Sequence, residues 1–161
     1  MKISGKVAAF AAVTSIMAAQ PAQACWSASE AKAASVANLN MMMMVTALRC
    51  RNGQHNFLAD YNRFVRLNNP VIGANNAHVK ARFARIVGGQ GAERAMDKFT
   101  ISLANHYGIG HESMGCAELK LLASELGSKT HDRLSLADIA ERNAGIPELA
   151  GGRCSVRIAA K

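Results

Sequence analysis

Apolar side chains recur every three or four residues along most of the chain after residue 26, and this spacing is typical of amphipathic helices. Glycine, asparagine or proline interrupts the pattern between segments and marks the helix ends. Only residues 155–158 alternate in the manner of a strand. The pattern predicts helices over residues 27–51, 54–67, 70–87, 92–107, 112–126 and 134–143. We therefore expect an all-α protein, a single compact bundle of five to six helices.

The first predicted helix opens with a sequence typical of a helix N-terminus. Glu30 follows Ser27 by three residues, which is the spacing of a capping box. Four consecutive methionines, 41–44, lie in the second half of this helix. Thioether sulfur suits Cu(I), but only Met41 and Met44 share a helix face. We therefore interpret the run as core packing on several sides of the helix.

The first 24 residues have the organisation of a secretory signal peptide. Lys2 and Lys6 form a short positive region, and a small-residue apolar stretch follows. Ala22 and Ala24 then place small side chains at positions −3 and −1 of a cleavage site. Cleavage is therefore predicted immediately before Cys25.

Cleavage there divides the chain into a signal peptide, residues 1–24, and a single helical domain, residues 25–161. The full chain of 161 residues has the length of one ordinary domain. No run of about 18 apolar residues occurs, so no membrane span is expected. The predicted localisation is periplasmic or secreted.

All four cysteines lie after the predicted cleavage site, and an even number in an oxidising compartment indicates two disulfides. Cys25 and Cys50 bracket the first predicted helix, which holds them about 35 Å apart. A disulfide needs Cα atoms within about 7 Å, so these two cannot pair. In a bundle whose successive helices run alternately up and down, the fifth helix begins at the same end of the bundle as the first. This order favours Cys25–Cys116 with Cys50–Cys154 over the alternative, Cys25–Cys154 with Cys50–Cys116.

Basic side chains concentrate in the first half of the predicted domain. The formal charge of the chain is +8, and residues 31–92 contain eight bases and a single acid, Asp60. Outside the cytoplasm, a basic surface favours phosphorylated lipid headgroups, acidic glycans or acidic proteins as partners. No nucleic acid partner is expected at that location. The candidate anion-binding residues are Arg63, Arg66, Arg82 and Arg85.

Asp60 precedes Arg63 by three residues on a predicted helix, so the two side chains are expected to be neighbours. No second acid or histidine is placed in sequence to act with Asp60 in catalysis. We therefore interpret Asp60 as the counter-ion that lets the basic helices pack together.

The densest polar cluster lies between the fourth and fifth predicted helices. Residues 106–116 contain two histidines, a glutamate, a methionine and a cysteine around a Gly-x-Gly sequence. Such a loop could hold a metal or orient an acid–base pair, which makes His106, His111 and Glu112 a candidate polar site. The alternative is a structural loop between helices, since the spacing matches no zinc pattern. His131 lies on a polar stretch and is expected to face solvent.

Several well-known site patterns are absent from the sequence. It contains no Cys-x-x-Cys pair, no Cys-x-x-Cys-His haem attachment and no Gly-x-Ser-x-Gly elbow. The glycine-rich residues 88–91 lack the preceding strand and following lysine of a phosphate loop. We therefore predict no catalytic residue, no metal ligand and no cofactor.

Three short sequences resemble those of a family of small exported bacterial proteins of unknown function. They are Cys25-Trp26, Leu48-Arg49-Cys50-Arg51 and Asp60-Tyr61-Asn62-Arg63-Phe64. Some members carry the label S-adenosyl-L-homocysteine hydrolase. That chemistry uses a nicotinamide dinucleotide held in a Rossmann unit. This chain does not contain the sequence of such a unit, which is a strand followed by a Gly-x-Gly-x-x-Gly motif and a helix. The resemblance therefore implies export and brings no catalytic residue.

Together these patterns predict an exported, non-catalytic helical protein. Its basic surface would bind an anionic envelope component or an acidic partner. The alternative is a small enzyme or a metal-binding protein that uses residues 106–116.

Overall fold

The computed structural model describes residues 25–154, so the predicted signal peptide and the strand-like residues 155–158 lie outside it. Its helices are α1 (Ala28–Cys50), α2 (Leu58–Val87), α3 (Gly89–His106), α4 (Cys116–Leu126) and α5 (Arg133–Asn143). Across residues 25–154 the only β pairing is an isolated bridge between Trp26 and Arg153. The predicted all-α bundle is therefore confirmed. None of the five helices combines the length and the apolar character needed to cross a membrane.

Helix α1 is the central helix and packs against each of the other four. The predicted capping box begins it: Ser27 Oγ accepts from the Glu30 N–H at 3.4 Å, and the Ser27 N–H donates to Glu30 Oε2 at 2.7 Å. A helix enclosed by others buries side chains all round its surface. Met42 and Met43 are accordingly fully buried, and the two flanking methionines are half-buried. Core packing of the methionine run is confirmed.

Helix α2 corrects the predicted break at residues 68–70. The second and third predicted helices are one helix of 30 residues, with Pro70 inside it. One buried face continues past the proline at helical spacing, and its tertiary packing outweighs the backbone hydrogen bond that proline removes. The buried residues of this face are Phe64, Asn68, Ile72, Asn75, Val79 and Arg82. Because two of these buried residues are asparagines, the spacing of apolar residues alone does not show that the buried face is continuous.

Asn68 fixes the middle of α2 to the connection between α4 and α5. Its Oδ1 accepts from the His131 N–H at 2.7 Å, and its Nδ2 donates to the Phe64 carbonyl at 3.0 Å and the Lys129 carbonyl at 3.3 Å. The same connection buries His131, which is only 6% exposed. The expectation that His131 faces solvent is therefore wrong.

The disulfides are Cys25–Cys154 and Cys50–Cys116, so the favoured pairing was wrong and the alternative is correct. The continuous α2 explains the error. With one helix fewer in the up–down order, α4 begins at the end where α1 ends, and Cys116 therefore meets Cys50. The exclusion of a Cys25–Cys50 pair is confirmed, and the part of the chain that the structure describes has no free cysteine.

Candidate functional site

The four candidate anion-binding arginines all lie on α2 but not in one patch. Arg63 and Arg66 are in its first turns, and Arg82 and Arg85 are near its end. Nineteen residues separate corresponding members of the two pairs, which is roughly 28 Å at the rise of an α-helix. Each pair therefore has its own surroundings.

Arg82 and Arg85 belong to a charge cluster at the start of α1, the Glu30 cluster (Trp26, Glu30, Arg82 and Arg85). Glu30 is only 6% exposed, and its Oε1 forms an ion pair with Arg85 Nη2. Arg82 is 5% exposed, its Nη2 donates to the Cys25 carbonyl at 2.9 Å, and its guanidinium lies 5.7 Å from the Trp26 ring centroid. These contacts make Arg82 part of the internal structure, while Arg85 lies at the surface, 53% exposed, with its guanidinium paired to Glu30.

The carboxylate of Glu30 is held in its charged form. Burial by itself would raise the pKa of Glu30, but hydrogen bonds from Ser27 and the charges of Arg85 and Arg82 outweigh burial and lower that pKa. A buried carboxylate with such partners is a counter-ion for its arginines. The side chain that the sequence marks as a helix cap therefore also forms ion pairs with the two arginines near the end of α2.

Trp26 joins the Glu30 cluster to the last residues that the structure describes. Its backbone N–H donates to the Gly152 carbonyl at 2.8 Å, and its indole Nε1–H donates to the Ala150 carbonyl at 3.0 Å. The Cys154 N–H donates to the Trp26 carbonyl at 2.8 Å, next to the Cys25–Cys154 disulfide. This end of the bundle is closed by covalent, ionic and hydrogen bonds together.

The opposite end carries a different set of cations, the arginine corner (Arg51, Arg63 and Arg66). Arg51 directly follows α1 as its C-cap, and Arg63 and Arg66 lie within roughly 12 Å of the start of α2 along its axis. Arg63 makes the predicted pair with Asp60, at 3.4 Å, and its side chain remains 49% exposed. Arg51 and Arg66 are exposed and form no ion pair with any residue between 25 and 154.

The loop after α3 is attached to the last turn of α1 through Arg49. The Arg49 guanidinium donates to the Gly108 carbonyl at the end of α3. Gly110, next along this loop, has a φ of +113°. Ile109 between these two glycines is 90% exposed. The tip of the polar segment is therefore held against the last turn of α1 by Arg49.

His111 in that segment has hydrogen bonds at both ring nitrogens. Its Nδ1 lies 3.2 Å and 3.1 Å from the N–H groups of Ser113 and Met114, and its Nε2 lies 3.1 Å from the Asn143 carbonyl. An Nδ1 that accepts from backbone N–H groups leaves Nε2 as the protonated nitrogen, which then donates to the carbonyl. These bonds join the segment before α4 to the end of α5, so the role of His111 is structural.

The three candidate polar residues do not converge on one site. His106 lies edge-on to Tyr107 at 4.7 Å, while His111 stacks on the same ring at 6.2 Å. Glu112 is exposed. Burial is the main cause that raises the pKa of Tyr107, the hydrogen bond with Asn38 lowers it, and the charge of Glu112 raises it further. No group of three or more metal-ligating side chains occurs within residues 25–154.

His106 and His111 line two different cavities. A cavity of about 270 Å³ borders His111, Arg49 and the Cys50–Cys116 disulfide. Another of about 260 Å³ borders His106 and Asn38. Asn38 was not singled out from the sequence, although a polar side chain within the apolar centre of α1 is a usable indication of a special role.

Comparison of the chain with models of protein families, with curated proteins and with solved structures found no match. The resemblance to small exported bacterial proteins therefore stays a prediction. Any functional conclusion rests on the geometry of the described residues.

Proposed function

We propose that the protein is an exported, non-catalytic binding protein whose arginine corner takes an anionic envelope component or an acidic partner. The observation that carries this proposal is the exposure of Arg51 and Arg66 without an ion pair to any described acid. Arg63 adds a cation whose only ion pair among the described residues is the surface contact with Asp60. Charges in water that no local partner neutralises are available to an incoming anion.

The contacts of Arg82 and Arg85 narrow the proposed surface. Both guanidinium groups form ion pairs with buried Glu30, so this carboxylate already offsets part of their charge even though the Arg85 side chain is 53% exposed. The proposed anion-binding set is therefore Arg51, Arg63 and Arg66, without the second arginine pair of α2.

The disulfides support the export part of the proposal. Disulfides persist in oxidising compartments and are rare in the cytosol. All four cysteines are used, and the pairing of Cys25 with Cys154 is preserved by cleavage immediately before Cys25. We therefore assign a periplasmic or secreted localisation, with residues 1–24 as the signal peptide and no nucleic acid as partner.

Sedimentation with lipid vesicles tests the proposed function. The disulfide-bonded protein is mixed with phosphatidylglycerol vesicles, with phosphatidylcholine vesicles, or with the soluble polyanion polyglutamate. We expect binding to an anionic probe that weakens as salt rises above about 0.1 M, where the Debye length is about 10 Å. Preference for vesicles over polyglutamate identifies an envelope lipid, and the reverse an acidic partner. Absent or salt-independent binding to both anions would contradict the proposal.

A further inference from the structure

The cavity that borders His111 lies between the last turns of α1, the loop after α3 and the first turn of α4, and we call it the Arg49 cavity. Its volume is about 270 Å³, close to the lower end of the roughly 300–1,000 Å³ found for small-molecule pockets. Among the residues that line it, Thr46, Cys50 and Leu119 are buried, whereas Arg49 and Ile109 are exposed. The side formed by these two exposed residues is therefore the mouth of the cavity.

The inner part of the Arg49 cavity is mostly apolar and rich in sulfur, because Met114 and the disulfide between Cys50 and Cys116 line it. Two polar side chains in the lining already have partners. Thr46 donates its hydroxyl to the carbonyl one turn earlier at 2.7 Å, and His111 has hydrogen bonds at both ring nitrogens. Methionine sulfur makes favourable contacts with aromatic rings. The inner part therefore suits the ring of an aromatic ligand.

Arg49 places a positive charge at the mouth. Its guanidinium donates to the Gly108 carbonyl, and its Nε lies 3.8 Å from the position that a Cβ would take on Gly110, which also lines the cavity. Arg49 forms no ion pair with any acid between residues 25 and 154. A guanidinium has five N–H donors, so donors beyond the one that Gly108 uses remain for a ligand. Carboxylates are the acceptors that match this group best.

We propose that the Arg49 cavity binds a small aromatic monocarboxylate. The carboxylate accepts hydrogen bonds from the exposed Arg49 guanidinium at the mouth, and the ring enters the cavity beside Met114 and the disulfide. A carboxylate at the mouth keeps part of its hydration, which reduces the cost of binding an ion. The arginine corner (Arg51, Arg63 and Arg66) does not line this cavity, so the site goes beyond the proposed function.

Three probes separate the ring from the charge. Benzoate has both, benzamide has nearly the same shape without the charge, and acetate has the charge without the ring. Each is titrated into the disulfide-bonded protein while the backbone amide resonances are followed by NMR. We expect saturable benzoate shifts at Gly110, Met114 and Leu119, and at least about fivefold weaker binding of benzamide and of acetate. Absence of saturable benzoate binding, equal affinity of either other probe, or benzoate shifts at Arg63 and Arg66 instead would overturn the proposal.

A pair of variants tests the role of Arg49. Arg49→Gln removes the charge at the mouth, and Arg94→Gln makes the same change at an exposed position of α3 outside the cavity. The readout is the ratio of benzoate to benzamide affinity, because a change in cavity shape affects both ring compounds. This ratio should fall to about one in Arg49→Gln and stay at the parent value in Arg94→Gln. An Arg49→Gln protein that still prefers benzoate, or that no longer binds benzamide, would contradict the role given to the guanidinium.

Discussion

Helix α2 carries two arginine pairs with the same spacing of three residues and different surroundings. Arg82 and Arg85 interact with buried Glu30 on α1, more than 50 residues away in sequence. Among the described acids, only Asp60, on their own helix, forms an ion pair with Arg63 or Arg66, and it pairs with Arg63, whose side chain is 49% exposed. The first pair is therefore bound to a buried carboxylate that links α2 to α1, whereas the charges of the second pair remain available at the surface.

This difference shows what a charge count along the chain leaves out. Asp60 is the only acid within residues 31–92, yet Glu30, one residue outside that window, forms ion pairs with both arginines near the end of α2. A carboxylate stabilises the folded state according to its burial and hydrogen bonds, and surface pairs contribute little. The same side-chain types thus give a structural cluster at one end and a binding surface at the other.

The largest stability effects are expected from the disulfides that close the two ends. The paired cysteines are separated by 129 residues in Cys25–Cys154 and by 66 in Cys50–Cys116. Loop-closure entropy then gives about 4.9 and about 4.4 kcal/mol of stabilisation, respectively. Urea unfolding of the two double alanine variants should therefore find Cys25→Ala/Cys154→Ala slightly less stable. A Cys50→Ala/Cys116→Ala protein that is the less stable by more than about 1 kcal/mol would contradict this.

The next effect concerns the carboxylates opposite the two arginine pairs. Glu30→Gln removes a buried carboxylate that forms ion pairs with Arg82 and Arg85 and should lower the free energy of unfolding by about 3 kcal/mol. The matched change Asp60→Asn removes a surface pair and should lower it by less than about 0.5 kcal/mol. Asp60→Asn should also leave vesicle binding unchanged or tighter. Equal destabilisation by the two substitutions would contradict the conclusion that Glu30 stabilises the fold as a buried counter-ion and that Asp60 does not.

Acid titration isolates the charge of Glu30. Its pKa in the folded protein lies below the value of 4.5 for the free side chain. The folded state therefore binds this proton less readily than the unfolded state does. The resulting stabilisation is complete well above pH 4.5 and is lost as the pH falls through the folded pKa. The gap in stability between parent and Glu30→Gln should narrow in this range, and a gap independent of pH would exclude the charge as its cause.

Local patterns of the sequence were sufficient for most helices but not for α2. The capping box at Ser27 and Glu30 correctly placed the start of α1, because both partners lie within one turn. The continuity of α2 depends on Asn68, whose bonds to the α4–α5 connection are set by tertiary packing. The missed continuity reversed the direction of α4 and therefore the disulfide pairing.

The candidate sites divide in a similar way. The Asp60–Arg63 pair is local and was predicted correctly. The partner of Arg85 lies 55 residues away, and no spacing rule relates the two positions. The cavity at Asn38 combines α1, α3 and the chain after α5, so its residues are brought together only by the fold.

Binding and melting of two double variants test the division between the arginine pairs most directly. Removing two surface cations at about 1 kcal/mol each should weaken binding to phosphatidylglycerol vesicles roughly 30-fold. We predict this loss for Arg63→Gln/Arg66→Gln, with an unchanged melting temperature. We predict that Arg82→Gln/Arg85→Gln melts at a lower temperature and, while folded, binds like the parent. A stable Arg82→Gln/Arg85→Gln protein that loses binding, beside an Arg63→Gln/Arg66→Gln protein that keeps it, would contradict the account.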